Sequence, residues 1–218
     1  MTEEQLRETA SQLRQPHGEG AIAIAGFMNK GNARMNEDAL RVLSASPGDN
    51  ILEVGMGNGY FVKDILQADD SIHYTGADFS AEMVLAAEEW NADWIHKGKA
   101  VFVHASAESL PLDNELFHKI LTVNTLYFWD DREKVLSEFR RVLKPGGRLY
   151  IAIRPERRMV HYPFTKYGFR LYSAEDVRDL LAANGFDVEH THEHREPDYE
   201  VNGERIPVEN LVVVAVKR

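Results

Sequence analysis

The sequence predicts an α/β fold in which a doubly wound, mostly parallel sheet ends in an antiparallel hairpin. Short apolar segments alternate with longer amphipathic ones between residues 50 and 184, as expected for repeated β-α-β units. The first apolar segments lack the polar alternation of strands that face water on one side, so helices should cover both faces of the sheet. Two extended segments at the end of the chain have no helix between them. We count seven strands in all.

The chain begins with a predicted amphipathic helix over residues 3–14, which stops before Pro16 and Gly18. Apolar residues at helical spacing predict a second helix over 34–45. Residues 21–28 form a small apolar stretch, followed by the turn-prone 29–32. The stretch from Met28 to Asn36 either folds over a ligand as a lid or forms a helix that covers one sheet face.

Alternating strands and helices follow. The strand candidates are 50–55, 72–78, 100–104, 118–123 and 148–154. The helix candidates are 60–67, 81–96, 132–143 and 174–184. Segments 186–195 and 206–216 are predicted to form the hairpin, joined by a turn-prone stretch that contains Asn202 and Gly203.

Length and composition indicate one globular domain. The chain has 218 residues, of which 44% are hydrophobic, enough for one substantial core. We expect a helical cap or lid over 1–45, a ligand-binding core over 48–155, and a C-terminal helix and hairpin over 156–218 that complete the sheet.

Composition also bounds location and partners. The sequence has no cysteine, which excludes disulfides, thiolate metal sites and cysteine nucleophiles. With neither a signal-like start nor an apolar run near the ~20 residues of a membrane span, a cytoplasmic location is expected. The net charge of −10 repels nucleic acid and anionic membranes, so a small molecule is the expected partner. Composition leaves the oligomeric state open.

A glycine loop carries the strongest functional signal. Gly55, Gly57 and Gly59 alternate between a predicted strand and a predicted helix, and Glu53 precedes them by two positions. Glycines let the backbone turn sharply and let a ligand lie against the main chain, while the helix start favours an anion. Dinucleotide-binding enzymes need a G-x-G-x-x-G pattern, which fails here because Tyr60 stands at its sixth position. A structural turn without a ligand is the alternative.

This loop closely resembles motif I of the class I S-adenosylmethionine-dependent methyltransferases. Four further segments resemble the family in the same order, at 76–80, 104–111, 117–124 and 136–149. Together they cover 48–155, and the chain is similar to the family's small-molecule, UbiE-like (methyltransferase type 11) group. The resemblance implies a Rossmann-like fold, an enzyme, and S-adenosyl-L-methionine as cofactor.

The resemblance also implies roles for individual residues. Asp78 corresponds to the acid that binds both ribose hydroxyls, and Met83 either lies near adenine or is a core methionine. Ser106 replaces the acid that holds the adenine amino group in the family, and His118 replaces another family acid. The implied cofactor-binding residues are Glu53, Gly55, Gly57, Gly59, Asp78, Phe79, Met83, Ser106, Ala107 and Asn124.

Methyl transfer from a sulfonium mainly requires that donor and acceptor be held in line and that water be excluded. A general base is needed only if the acceptor must lose a proton, and His161 is the one histidine we would test as that base. In such sheets ligands bind beyond the carboxyl ends of the strands. The substrate-pocket candidates after strands four and five are Tyr127, Phe128, Trp129, Arg154 and Tyr162. Their aromatic rings line an apolar pocket, cage a cation, or pack in the core.

Three other functional classes are alternatives to a small-molecule methyltransferase. The runner-up is a non-catalytic module of the same fold that binds S-adenosylmethionine or another nucleotide metabolite. A nicotinamide-dependent oxidoreductase is disfavoured by Tyr60. A nucleic-acid methyltransferase is disfavoured by the acidic charge and because residues 124–127 lack the two prolines of the amine-methylating motif.

His190, His192 and His194 alternate, so a strand would place them on one face. They could bind a divalent ion, but a solvated hairpin face is the preferred interpretation, and we predict no metal. The sequence identifies neither the acceptor nor the atom that is methylated.

Overall fold

Seven strands form one sheet in the computed structural model, which describes residues 1–201 and 204–218. The spatial order is β3-β2-β1-β4-β5-β7-β6. The strands are β1 (Asn50–Val54), β2 (His73–Asp78), β3 (Ala100–His104), β4 (Phe117–Val123), β5 (Leu143–Ile153), β6 (Phe186–Val201) and β7 (Glu204–Lys217). Strands β1 to β5 pair in parallel, whereas β7 is antiparallel to both β5 and β6. The predicted doubly wound sheet with an antiparallel hairpin is confirmed.

The chain leaves β1 toward β2 and β3 on one side and returns to β4 and β5 on the other. The strand order therefore reverses between β1 and β4, which is where open α/β sheets form a ligand-binding crevice.

The helices cover both faces of the sheet. They are α1 (Glu3–Arg14), α2 (Ala21–Gly31), α3 (Ala33–Leu43), α4 (Val62–Leu66), α5 (Ala81–Trp90), α6 (Ala92–His96), α7 (Arg132–Val142), α8 (Glu156–Met159) and α9 (Ala174–Ala183). One core layer packs Phe139 of α7 and Leu181 of α9 against the sheet. The opposite layer packs Met35 of α3 and Ile65 of α4. No helix among the described residues combines the length and apolarity needed to cross a membrane.

Besides the short unpredicted helix α8 and small shifts at helix ends, two helical regions differ from the prediction. Residues 21–31, interpreted as an apolar stretch and a turn, form α2, because Ala21 and Ala25 are buried against Met83 of α5. The predicted helix over 81–96 divides into α5 and α6 at Asn91. The Asn91 side-chain amide donates hydrogen bonds to the carbonyl oxygens of Ala87 and Gly59, each at 3.0 Å. This ties the break in the helix to the glycine loop.

Strand β5 begins at Leu143, five residues before its predicted start at 148. Phe117 pairs with Leu143, but Lys119 pairs with Arg148, so the register shifts over the Pro-Gly-Gly segment. Gly146 takes a left-handed φ of +73° there, which allows the extra residues to bulge out of the strand.

The hairpin strands β6 and β7 are also longer than the predicted 186–195 and 206–216. Cross-strand pairing continues past the predicted ends, from Phe186 opposite Lys217 to Val201 opposite Glu204. The predicted turn at Asn202 and Gly203 lies outside the described residues.

Candidate functional site

A cleft opens at the carboxyl ends of β1, β2 and β4, beneath α1, α2 and α3. Nine of the ten predicted cofactor-binding residues line it: Glu53, Gly55, Gly57, Asp78, Phe79, Met83, Ser106, Ala107 and Asn124. The tenth, Gly59, does not line the cleft.

Asp78 ends β2 with its side chain buried in the cleft wall, at 7% exposure. One carboxylate oxygen accepts a hydrogen bond from the Gly57 N–H at 3.0 Å, and the other accepts from the Ser80 N–H at 2.9 Å. Burial raises the pKa of Asp78. The Ser80 hydroxyl caps α5 by accepting from the Met83 N–H at 3.3 Å, so the Asp78 carboxylate is not needed as the cap of that helix.

The three glycines of the loop serve different purposes. A Cβ added to Gly55 would lie 2.2 Å from the Thr125 methyl group, so a side chain there is excluded by the segment after β4. Gly57 has a φ of +58°, and no atom lies within 4 Å of an added Cβ. The Gly57 main chain therefore faces open cleft, where a ligand can lie against it.

Gly59 is required by packing against α5 and does not line the cleft, so its cofactor-binding role stays a prediction. An added Cβ would lie 2.7 Å from the Asn91 side-chain amide and 3.0 Å from Ala87 Cβ. The residue lets α5 approach the loop closely, and this contact keeps it away from the cleft.

Glu53 places a second buried carboxyl group in the cleft wall. Its Oε2 accepts a hydrogen bond from the Tyr74 hydroxyl at 2.7 Å. Burial raises the pKa of Glu53 to about 7; the Tyr74 hydrogen bond opposes this shift and the Asp78 charge adds to it. Burial, together with the Glu53 charge, also raises the pKa of Tyr74 well above its usual value. Two carboxyl groups in one wall suit a ligand that carries positive charge.

The predicted adenine end lies after β2 and β3. The Phe79 carbonyl accepts hydrogen bonds from the Gln15 side chain at 3.2 Å and from the His104 ring at 3.0 Å. Ser106 is exposed, and its hydroxyl accepts from the Glu108 N–H at 3.2 Å. Met83 is fully buried among α2 side chains and also lines the cleft, so both interpretations of this residue agree with its position.

Helices α1 to α3 and the linkers between them form one side of the cleft. Besides Met28, Asn29, Asn32 and Asn36, the α1 end contributes Leu13, Arg14 and Pro16, which the sequence analysis did not single out. The Ser80 hydroxyl donates to the Pro16 carbonyl at 2.6 Å, and Arg14 forms an ion pair with Asp130 at 2.5 Å. The amphipathic pattern of 3–14 predicts a helix packed on the protein, but it does not predict that this helix packs beside the cleft.

The acceptor-side candidates after β4 divide into two groups. Asn124, Phe128 and Trp129 line the cleft. Tyr127 does not, because its hydroxyl is buried against the main chain, donating to the Arg154 carbonyl at 2.9 Å and accepting from the Arg154 N–H at 2.6 Å. Its predicted pocket position is therefore corrected to a core position.

The candidates after β5 do not line the cleft either. The buried Arg154 side chain pairs with Glu196 at 2.8 Å and donates to the Gly31 carbonyl at 3.0 Å. The Tyr162 ring stacks on Phe164 with centroids 5.2 Å apart. His161 is exposed and does not line the cleft, so its role as a base stays a prediction.

The three alternating histidines share a face as predicted, with ring centroids 5.9 and 6.2 Å apart. Only His190 is exposed, however, because His194 packs toward α3 with its Nδ1 3.7 Å from Asp38. The solvated-face interpretation is thus wrong for His194. Among the residues the structure describes, no group of three or more histidine, cysteine, aspartate or glutamate side chains could hold a metal ion.

His118, which stands where the family resemblance predicts an acid, lies at the start of β4 and far from the cleft. Its Nδ1 accepts a hydrogen bond from the Asn50 N–H at 2.9 Å, joining the beginnings of β1 and β4. Burial and the nearby Lys144 lower the pKa of His118. This departure affects strand packing and not the ligand site.

Comparisons with known proteins agree with this geometry. Residues 52–151 match the family model described as "Methyltransferase domain". The uncharacterized methyltransferase YdaC of Bacillus subtilis is 29% identical over 82% of this chain and 94% of its own. An O-methyltransferase of Pyrenophora dematioidea is 31% identical over 71% of this chain, which spans only 60% of that protein's length.

Among solved structures, the complex of the Haloferax volcanii Trm112 methyltransferase activator with a putative methyltransferase contains a chain of the same fold. Its TM-score is 0.78 at 19% sequence identity, covering 97% of this chain and 98% of that one.

Proposed function

We propose that the chain is a class I S-adenosylmethionine-dependent methyltransferase and that it methylates a small organic acceptor bound against Phe128 and Trp129. One relationship supports the proposal most directly. The open main chain of Gly57 and the buried Asp78 carboxylate lie side by side at the crossover between β1 and β4.

The residues of the cleft suit S-adenosylmethionine. A long ligand can lie flat on Gly57, where a Cβ would occupy the space. The Asp78 carboxylate can accept hydrogen bonds from a ribose diol. Glu53, whose pKa is about 7, adds negative charge when it loses its proton, and that charge attracts a sulfonium and an ammonium group. When bound, the cofactor supplies a methyl group that its sulfonium already activates.

The chain's own contribution is to hold and shield the reactants. Phe128 and Trp129 form apolar walls on the acceptor side, and the Trp129 indole N–H is held by the Thr125 hydroxyl at 3.1 Å. We propose that residues 1–45 act as a cap, because Arg14 bridges from α1 to Asp130 beside Trp129. Excluding water and fixing the attack distance are the main requirements of such a displacement.

A small acceptor is favoured over a nucleic acid by the charge of the protein. The chain has a net charge of −10, and the cleft walls contain Glu53, Asp78, Glu108 and Asp130 against Arg14 alone. A phosphate backbone would be repelled at that surface.

The test has two stages on the full chain. Calorimetry with S-adenosylmethionine and S-adenosylhomocysteine should show saturable binding, and incubation with a panel of small phenols, amines and acids should release S-adenosylhomocysteine. Binding without release from any acceptor would favour the non-catalytic module. Absence of binding to either compound would overturn the proposal.

A further inference from the structure

Arg158 of α8 is a buried arginine with incomplete hydrogen bonding. The residue is 2% exposed, and within the described part of the chain its Nε and Nη1 atoms have no hydrogen-bond partner. Only Nη2 is engaged, by donation to the Tyr162 hydroxyl, and the guanidinium carbon lies 4.4 Å from the centre of the Tyr162 ring. A buried cation without a counter-charge is costly, so such an arrangement points to a missing anion.

The neighbouring arginine shows that carboxylates are available but are used elsewhere. Arg157 is half-exposed and pairs with two acids, Glu209 at 2.6 Å and Glu193 at 3.0 Å. The two adjacent arginines of α8 thus differ in their partners. The outer cation is neutralised by the hairpin, while the inner cation has no described acidic partner.

A row of aromatic rings connects Arg158 with the cleft. The Tyr162 ring stacks on Phe164 at 5.2 Å, Phe164 contacts Phe169 at 5.6 Å, and Phe169 meets Phe128 edge-on at 4.6 Å. Phe128 lines the cleft on its acceptor side. A continuous row of packed aromatic rings therefore runs from the cleft wall at Phe128 to the Arg158 guanidinium.

The backbone places both ends of this row at the same edge of the sheet. Helix α8 follows β5 after two residues, and the end of β5 is joined to the segment after β4 by the hydrogen bond from the Asn124 N–H to the Ala152 carbonyl at 2.9 Å. Arg158 and Phe128 therefore both follow the carboxyl ends of neighbouring strands, on the same edge of the sheet.

We propose that Arg158 binds the carboxylate of an aromatic acid that serves as the methyl acceptor, an inference that rests on the proposed function. The guanidinium fork matches a carboxylate through two parallel hydrogen bonds, and the acceptor ring packs among Phe128 and its aromatic neighbours. The half-buried Tyr162 ring turns aside as the carboxylate reaches the free nitrogens. The selectivity of the enzyme is then for anionic rings over their neutral esters.

The test uses calorimetry on the full chain, with 4-hydroxybenzoate and its methyl ester as probes, each titrated with and without S-adenosylhomocysteine. We expect the acid to bind at least about tenfold more tightly than the ester. Arg158→Gln should remove that preference, Arg158→Lys should keep part of it, and the matched control Arg157→Gln should change it less than about twofold. Equal binding of acid and ester, or no binding of the acid by the wild-type chain, would overturn the proposal.

Two further readouts separate this inference from its premise and from a purely structural role. Affinity for S-adenosylhomocysteine should be unchanged in Arg158→Gln, so failure of the cofactor site and failure of the anion site are distinct results. The melting temperature of free Arg158→Gln should be no lower than that of the wild type, because an uncompensated buried charge is removed. A lower melting temperature without any change in probe preference would show that Arg158 is a structural residue, and the proposal would fall.

Discussion

The Asp78 carboxylate accepts a hydrogen bond from the Gly57 N–H across 3.0 Å and so joins the end of β2 to the middle of the glycine loop. The group predicted to hold the ribose therefore also fixes the main chain on which the cofactor would lie. This contact links the shape of the loop to the charge at this end of the cleft.

Asp78→Ala should weaken binding of S-adenosylmethionine by ~1–3 kcal/mol, because charge-assisted hydrogen bonds to the cofactor and to the loop are lost. Calorimetry gives the affinity, and circular dichroism checks that the variant is folded. Asp93→Ala, an exposed position on α6, is the control and should bind as the wild type does. Unchanged affinity in Asp78→Ala would show that the ribose assignment is wrong.

Gly57→Ala should lower the affinity for the cofactor, and the loss should be larger than its effect on folding stability alone would produce. Gly57 and Gly98 have φ values of +58° and +66°, and neither has an atom within 4 Å of an added Cβ. Alanine at either position should thus cost a similar 1–2 kcal/mol, roughly, in unfolding free energy. Only the Gly57 methyl group enters the cleft, so equal cofactor affinities in Gly57→Ala and Gly98→Ala would contradict the proposed cradle.

Stability should fall as the pH rises from 4.5 toward 7. Burial raises the pKa of Glu53 from 4.5 to about 7, so in this window the folded protein retains a proton that the unfolded chain has released. The free energy of unfolding then decreases with pH, by roughly 3 kcal/mol for this group, and levels off above pH 7. The raised pKa of Asp78 acts in the same direction.

Urea denaturation at several pH values measures this slope. Glu53→Gln should flatten the profile, because an amide cannot titrate, whereas Glu88→Gln on the exposed side of α5 should leave it as in the wild type. A profile that keeps its full slope in Glu53→Gln would assign the titration to another group.

Asn91→Ala should destabilise the fold more than the matched change Asn184→Ala. Both asparagines end a helix and donate to the carbonyl four residues earlier, at 3.0 and 2.8 Å. Asn91 also donates to the buried Gly59 carbonyl, which keeps only its 3.3 Å hydrogen bond from the Val62 N–H when the amide is removed. The extra loss is therefore that of one buried hydrogen bond, about 0.5–1.5 kcal/mol. Unfolding midpoints compare the two variants, and equal losses would mean that the loop contact contributes nothing.

The fold was predictable because its signals are local. Each signal lies within about a dozen residues. Apolar segments without polar alternation predict buried strands, and the glycine loop and the Pro-Gly-Gly segment predict turns next to strands. Nine cofactor candidates line one cleft for the same reason, since eight lie at or within three residues of the end of a strand and Met83 lies in the first turn of the helix after β2. The packing constraint on Gly59 could not be predicted in this way, because it comes from Asn91, 32 residues later in the chain.

Positions that depend on distant partners could not be predicted. Arg154 follows β5 as a pocket residue should, yet Glu196 and the Gly31 carbonyl hold its side chain elsewhere. Arg14 reaches the cleft by pairing with Asp130, and no local pattern marks that contact. Helix α2 is defined by burial of its small residues under Met83, which composition alone does not reveal.

The Arg154–Glu196 pair, each side chain 9% exposed, constrains any redesign of this protein. Shortening the hairpin so that Glu196 is lost would leave the Arg154 cation buried without its counter-charge. Arg154 also donates the hydrogen bond to Gly31 at the end of α2, so that contact would be affected as well. Grafts onto the hairpin must therefore begin beyond Glu196, or replace both charges together with a matched apolar pair.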